Sequence, residues 1–151
     1  MKKHIILLAA IALFAFVKPA RAQVDTTAFN GAVAKLDRYN ALYIINFTDE
    51  KRIRATFRNI DVAMDDTRLK GKLHIELMCC GDGVVVYMKN GIFEPLLKEL
   101  RSKGVILAQC TNTLDERKID KSSLFPYISF VPSGPGEVIL REYDGWAIMH
   151  Q

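Results

Sequence analysis

The chain has 151 residues, of which 21 are Lys or Arg and 17 are Asp or Glu, and its formal net charge is +4 at pH 7. This excess lies in residues 1–22, which contain Lys2, Lys3, Lys18 and Arg21 but no acidic residue. Without that segment the chain is neutral, so its overall charge gives no reason to expect nucleic acid as a partner. The remaining length suits one compact domain.

Residues 1–22 have the three parts of a secretory signal. Met1–His4 is basic, Ile5–Val17 is apolar, and a small-x-small cleavage site ends at Ala22. The apolar stretch is shorter than the ~20 residues that a membrane-spanning helix needs. We therefore expect a periplasmic or secreted protein that is cleaved before Gln23 and is not inserted in a membrane afterwards.

The first half of the mature chain reads as a lead-in over residues 23–40 followed by strand, helix and strand. Ala41–Phe47 is apolar and rich in β-branched and aromatic residues, which predicts a buried strand. Thr48 and Asp49 are capping residues, and a helix with one apolar stripe follows them and ends near Asp65 or Asp66. Leu73–Cys80 alternates in the period of a strand, so the adjacent cysteines at its end should point to opposite faces.

The second half continues the alternation. Its predicted elements are a short helix or turn over Val84–Met88, a helix over Ile92–Lys103, a strand over Val105–Cys110, a short helix over Thr113–Lys118, a strand over Tyr127–Val131, and a last helix from the Ser133–Gly136 turn to Met149. Alternating elements with short connections predict one α/β domain over residues 41–151, with a mainly parallel sheet covered by helices on both faces. Its functional edge should lie at the carboxyl ends of the strands.

Cys110 is the candidate nucleophile at that edge. A buried strand ends at this thiol, and the following residues Thr111–Thr113 are of types that begin a helix. A helix N-terminus carries roughly half a positive charge, which favours the nucleophilic thiolate, and we expect this sulfur to be reachable by solvent. The alternative interpretation is structural, because free cysteines are often small buried hydrophobes.

Four other residues are predicted to bind substrate beside Cys110. Asn112 and Thr113 have backbone N–H groups that could hold an anion or a persulfide. Cys80 and Gly81 end the preceding strand at the same edge of the sheet.

The three cysteines Cys79, Cys80 and Cys110 cannot all pair within one chain. A disulfide between Cys80 and Cys110 needs Cα atoms within about 7 Å. If the first strand lies between the second and third, two strand spacings of roughly 9 to 10 Å in total separate them, which disfavours the bond.

A site for monovalent copper, built from Cys80, Cys110 and either His74 or Met78, is chemically sensible. The chain has no spaced zinc or haem motif and no dinucleotide fingerprint, so we expect neither a metal nor a cofactor. The motifs Gly-x-Ser-x-Gly and His-Glu-x-x-His are also missing from the sequence, which disfavours hydrolase chemistry.

From Cys110 through Leu114 the sequence resembles the DsrE/DsrF-like family of small sulfur-relay proteins, and the resemblance extends over roughly residues 41–148. The supporting segments are Glu76–Val84, Leu100-x-x-x-Gly104-Val105, Val131–Gly134 and Gly145–Ile148. The resemblance implies a flavodoxin-like domain that forms homo-oligomers, often trimers or hexamers, and carries sulfur as a persulfide on the residue matched by Cys110. Cys80 departs from the pattern, because relatives often have histidine there.

Two functions follow. The first is an exported sulfur-handling protein, sulfurtransferase-like if it is an enzyme, in which Cys110 exchanges sulfane sulfur with a donor or acceptor protein or a small sulfur compound. The second is a non-catalytic homo-oligomeric module that binds a small ligand or a protein and in which Cys110 is structural.

Overall fold

The computed structural model describes residues 29–150, whose helices and strands all lie within the compact unit Val33–Gln151. The predicted export signal and its cleavage site fall outside the described residues, as does the first part of the lead-in. Every helix within residues 29–150 is too short or too polar to cross a membrane.

Strands and helices alternate along the described residues. The strands are β1 (Tyr39–Ile45), β2 (Leu73–Cys79), β3 (Ile106–Cys110), β4 (Ser129–Val131) and β5 (Ala147–His150). The α-helices are α1 (Glu50–Asp65), α2 (Glu94–Ser102), α3 (Thr111–Arg117) and α4 (Gly134–Tyr143), and two 3₁₀ helices span Gly81–Tyr87 and Lys121–Ser123. Asp49 caps α1 as expected, because its carboxylate accepts a hydrogen bond from the Arg52 N–H at 2.7 Å.

The five strands form one parallel sheet in the order β4-β3-β2-β1-β5. The predicted α/β class is therefore confirmed. The strand order assumed for the distance between Cys80 and Cys110 is wrong, because β2 pairs directly with β3 and β1 lies on the other side of β2.

The two faces of the sheet are covered differently. From β1 to β4 the chain moves in one direction across the sheet, and from β4 to β5 it returns past three strands to the far edge. Right-handed crossovers of opposite direction place their helices on opposite faces. The apolar sides of α1 and α2 accordingly pack against one face of the sheet and form the main core with it, whereas α4 covers the other face. The core includes Ile53, Phe57 and Ile60 of α1, Leu97 and Leu100 of α2, and Tyr43, Ile45, Ile75 and Leu77 of β1 and β2.

The last helix is shorter in the structure than the sequence pattern predicts. It ends at Tyr143, and Ala147–His150 instead forms β5 beside β1. Gly145 adopts a φ of +78°, which ends the helix, and the free edge of β1 offers backbone hydrogen bonds to the segment that follows.

Candidate functional site

Cys80 and Cys110 lie side by side at the carboxyl ends of neighbouring strands. The register of β2 and β3 pairs Cys79 with Gln109, so the next residues along the chain are Cys80, which follows the end of β2, and Cys110, the last residue of β3. Adjacent strands are about 4.8 Å apart. The structure therefore brings together two residues that the assumed strand order separated.

The two adjacent cysteines point to opposite faces, as the alternation of β2 predicts. Cys79 belongs to the main core and has no exposed surface. Cys80 points toward α4, since a Cβ atom placed on Gly134 would lie 3.3 Å from its Cβ and 3.5 Å from its Sγ. Cys110 points to the same side as Cys80, because Gly134 also contacts its sulfur.

The sulfur of Cys110 receives a backbone hydrogen bond, but not from the helix that was predicted to provide it. Cys110 precedes α3 directly and makes no side-chain capping bond to that helix. Instead, the N–H of Gly134, the first residue of α4, donates to Cys110 Sγ at 3.2 Å. The positive N-terminal end of α4, a helix of 10 residues, therefore faces the thiol of Cys110 in place of the N-terminus of α3.

The N-terminus of α4 is fixed by its own sequence. Ser133 is the N-cap, and its hydroxyl accepts a hydrogen bond from the Gly136 N–H at 3.0 Å. Pro135 lies in the first turn, where its missing N–H and fixed φ are tolerated. The N–H of Gly134 is thus left free for the sulfur of Cys110.

The three thiols differ in exposure. Cys110 is buried, with 3% of its surface exposed, Cys79 is fully buried, and Cys80 is half-buried. The expectation of a solvent-reachable sulfur at Cys110 is therefore wrong, and Cys80 is the more accessible member of the pair. Burial, and secondarily the neighbouring Cys110, raises the pKa of Cys80, and burial raises the pKa of Cys79 far more strongly.

Gly81 and Thr113 are joined by a hydrogen bond across the strand ends. The N–H of Gly81 donates to Thr113 Oγ1 at 2.9 Å, and Gly81 has a φ of +52°. This bond holds the backbone next to Cys80 against α3. The hydroxyl of Thr113 therefore helps to fix the position of the backbone beside Cys80.

Asn112 lies at the exposed rim of the site. Its N–H donates to the carbonyl of Pro132 at 3.3 Å, which joins α3 to the loop before α4. That N–H is therefore already used within the protein and is not free for an anion.

His74 lies far from the two cysteines. It is exposed near the start of β2, six residues before Cys80, which corresponds to roughly 20 Å along an extended strand. Among residues 29–150, no three His, Cys, Asp or Glu side chains are grouped as metal ligands. Of the two possible additional copper ligands, only Met78 lies near Cys80, with its Cε 3.6 Å from the Cβ position of Gly134.

Gly134 is the residue of the candidate site that the sequence pattern does not single out. As a local pattern, Ser133–Gly136 predicts only a turn leading into the last helix. Its capping serine and first-turn proline mark a helix N-terminus at the carboxyl end of β4, the same edge of the sheet as Cys110. This combination could have indicated α4 as the source of the hydrogen-bond donor.

Comparisons with known proteins agree with this architecture. The family model described as the DsrE/DsrF-like family matches residues 40–150. A solved structure of the protein of unknown function MTH1491 from Methanobacterium thermoautotrophicum is 27% identical, with a TM-score of 0.70, and the match covers 75% of this chain and 99% of that chain.

A second solved structure, the YchN protein from E. coli, is 15% identical, with a TM-score of 0.51, and the match covers 76% of this chain and 98% of that chain. At that identity the likeness concerns the fold alone. None of the curated proteins compared with this chain is significantly similar to it.

Proposed function

Because the chain belongs to the DsrE/DsrF-like family, we propose that it is an exported sulfur-handling protein that carries sulfane sulfur as a persulfide on Cys110. The observation that carries this proposal is the hydrogen bond from the Gly134 N–H to Cys110 Sγ at 3.2 Å. Backbone N–H groups at a helix N-terminus favour an anion, and both the thiolate and the deprotonated persulfide are anions.

The proposed loading step is a nucleophilic displacement. The thiolate of Cys110 attacks the sulfane sulfur of a donor such as polysulfide or thiosulfate, and a new S–S bond forms. The S–S bond of the donor breaks, and the shortened polysulfide or sulfite leaves with the bonding electron pair. No oxidant is consumed, since the sulfur is transferred at its existing oxidation level.

The burial of Cys110 favours a small donor. Because only 3% of its surface is exposed, a bulky thiol or a folded protein would not reach it without local opening. Cys80 and Gly81 form the more accessible side of the site, so a small sulfur compound would approach past them. In this proposal Thr113 holds Gly81 in place, and Asn112 lies at the rim.

The predicted signal peptide supports a location outside the cytoplasm, and family resemblance supports a homo-oligomer, trimeric or hexameric. The burial of Cys110 specifically favours the second function, in which it is a structural residue of a binding module.

Intact-mass measurement of the mature protein after polysulfide treatment tests the proposal. We expect the wild type to gain the mass of one sulfur atom on Cys110. Cys110→Ser should gain none, whereas Cys79→Ser, which alters a thiol on the other face of the sheet, should gain it as the wild type does. Absence of the added sulfur from the wild type, from Cys79→Ser and from Cys80→Ser, which removes the neighbouring thiol, with polysulfide and with thiosulfate, would favour the binding module.

A further inference from the structure

We propose that Cys80 is the resolving thiol of Cys110: it attacks the Cys110 persulfide, forms a Cys80–Cys110 disulfide and releases the carried sulfur as hydrosulfide. This inference rests on the proposed function, because it requires sulfur to be loaded on Cys110. It explains how the carried sulfur leaves the site as sulfide. It also gives a role to Cys80, the residue at which the chain departs from its family pattern.

The positions of the two residues permit the bond. Cys80 and Cys110 follow a registered pair on adjacent parallel strands and face the same side of the sheet. The strand spacing of about 4.8 Å lies within the Cα separations of roughly 4.4 to 6.8 Å found in disulfides. Both residues are free thiols in the structure.

Gly134 keeps the space beside the two sulfurs open. Its N–H lies 3.2 Å from Cys110 Sγ, and a Cβ atom at this position would stand 3.5 Å from Cys80 Sγ. Because glycine has no such atom, neither thiol is screened from the other by a side chain of α4. The same backbone N–H can stabilise Cys110 when it is the leaving thiolate.

The unequal exposure of the two thiols gives each a separate task. Cys110 is buried and therefore protects a persulfide from external thiols, whereas the half-buried Cys80 can meet them. An external thiolate would attack the Cys80 sulfur of the disulfide, and Cys110 would leave as a thiolate. The greater solvent exposure of Cys80 thus determines which of the two disulfide sulfurs the external thiolate attacks.

The release step balances without an added oxidant. The Cys80 thiolate attacks the sulfur bound to the Cys110 Cβ, one S–S bond forms, and the S–S bond to the outer sulfur breaks. The protonated form of the persulfide reacts, so the outer sulfur leaves as hydrosulfide with the electron pair and with the proton that it already carries. It is reduced to sulfide while the two cysteine sulfurs are oxidised to the disulfide, and an external dithiol reductant then restores both thiols.

The decisive experiment follows protein loaded with polysulfide and then freed of excess reagent. In the wild type we expect hydrosulfide to be released in an amount equal to the sulfur lost from the protein. The intact mass should fall by the added sulfur and by two further hydrogen atoms, and peptide mapping should find Cys80 joined to Cys110. Cys80→Ser and Cys80→Ala should keep the persulfide, and Cys79→Ser should behave as the wild type.

A wild type that holds its persulfide as long as Cys80→Ser, or a disulfide that involves Cys79, would overturn the inference. Unloaded protein oxidised with diamide separates this failure from that of the proposed function. If sulfur loads but neither arm gives a Cys80–Cys110 disulfide, the resolving role fails and the sulfur carrier stands. If the disulfide forms with diamide but no sulfur loads, the sulfur carrier fails and the release step fails with it.

Discussion

The backbone N–H of Gly134 donates a hydrogen bond to the sulfur of Cys110 at 3.2 Å, although 24 residues separate the two in the chain. The contact depends on the crossing of α4 over the face of the sheet that α1 and α2 leave open. It places the positive end of a helix against a thiol that is otherwise surrounded by protein. The chemistry proposed for this site rests on that contact.

The accessibility of the thiols predicts which cysteine reacts with iodoacetamide under native conditions. Cys80 should be alkylated while Cys79 stays protected, because Cys80 is half-buried and Cys79 has no exposed surface. Timed quenching followed by peptide mapping measures both rates. Labelling of Cys79 as fast as that of Cys80 would show that the described packing of β2 is wrong.

The alkylation rate of Cys80 should also keep rising at pH values above its ordinary pKa of 9.0. Burial raises the pKa of this thiol, and the thiolate that reacts is therefore formed at higher pH than in an unfolded peptide. The same peptide alkylated in denaturant is the control. A native rate that levels off at lower pH than the denatured rate would contradict this assignment.

Replacement of Thr113 should destabilise the protein through Gly81. Thr113→Val keeps the shape of the side chain but leaves the Gly81 N–H without its acceptor at 2.9 Å. Because this N–H is only partly buried, we expect a loss of about 1 kcal/mol, at the low end of the cost of an unsatisfied donor. Urea unfolding measures the loss, and Thr113→Ser, which retains a hydroxyl, should lose clearly less; equal stability of the two variants would refute the importance of this bond.

Gly83 is predicted to tolerate no side chain. A Cβ atom there would lie 2.0 Å from the carbonyl oxygen of Ile45, at the end of β1. Since the backbone of either segment would have to move, Gly83→Ala should lower the free energy of unfolding by about 1 to 3 kcal/mol or more.

The control for Gly83 is Gly104→Ala. Gly104 has a φ of +88° and no atom within 4 Å of its Cβ position, so this variant has conformational strain of about 1 kcal/mol without a steric clash. Thermal unfolding of both proteins compares them. A Gly83→Ala protein as stable as Gly104→Ala would contradict the close packing of the Gly81–Tyr87 helix on β1.

Glu76 and Arg141 should give the stability a distinct dependence on pH. Arg141 Nη2 lies 2.7 Å from Glu76 Oε2, and the carboxyl is buried under α4. Burial raises the pKa of Glu76, Arg141 opposes the shift, and Glu137 adds to it. The folded state therefore binds this proton more tightly than the unfolded chain, so the contribution of Glu76 to stability falls as pH rises from 4.5 through the raised value.

Arg141→Met removes the cation that opposes this shift. We expect a loss of about 3 kcal/mol near neutral pH, because a buried carboxylate is left unpaired, and a smaller loss toward acidic pH, where the carboxyl is protonated. Urea unfolding across the pH range measures both. In the double variant Arg141→Met with Glu76→Leu the added pH dependence should vanish, whereas a flat profile in the single variant would contradict the ion pair.

Local sequence patterns were sufficient to predict most elements of this fold. The apolar runs and capping residues predicted the strands that end near Cys79 and Cys110, together with the helices between them, because these signals act over a few residues. The observed boundaries differ from the predicted ones by a few residues. The first strand, for example, is predicted over Ala41–Phe47 and spans Tyr39–Ile45 in the structure. The exception is the stretch after Gly145, where pairing with β1 determined a strand that helical spacing alone did not indicate.

The sequence by itself determined that a thiol ends a buried strand at the carboxyl edge of a parallel sheet. Only the tertiary structure decided that Cys80 lies beside Cys110 and that Gly134 provides the N–H. The physical reason is that strand order and the face on which a helix crosses depend on pairing and packing between distant segments. No pattern local to residue 110 contains that information.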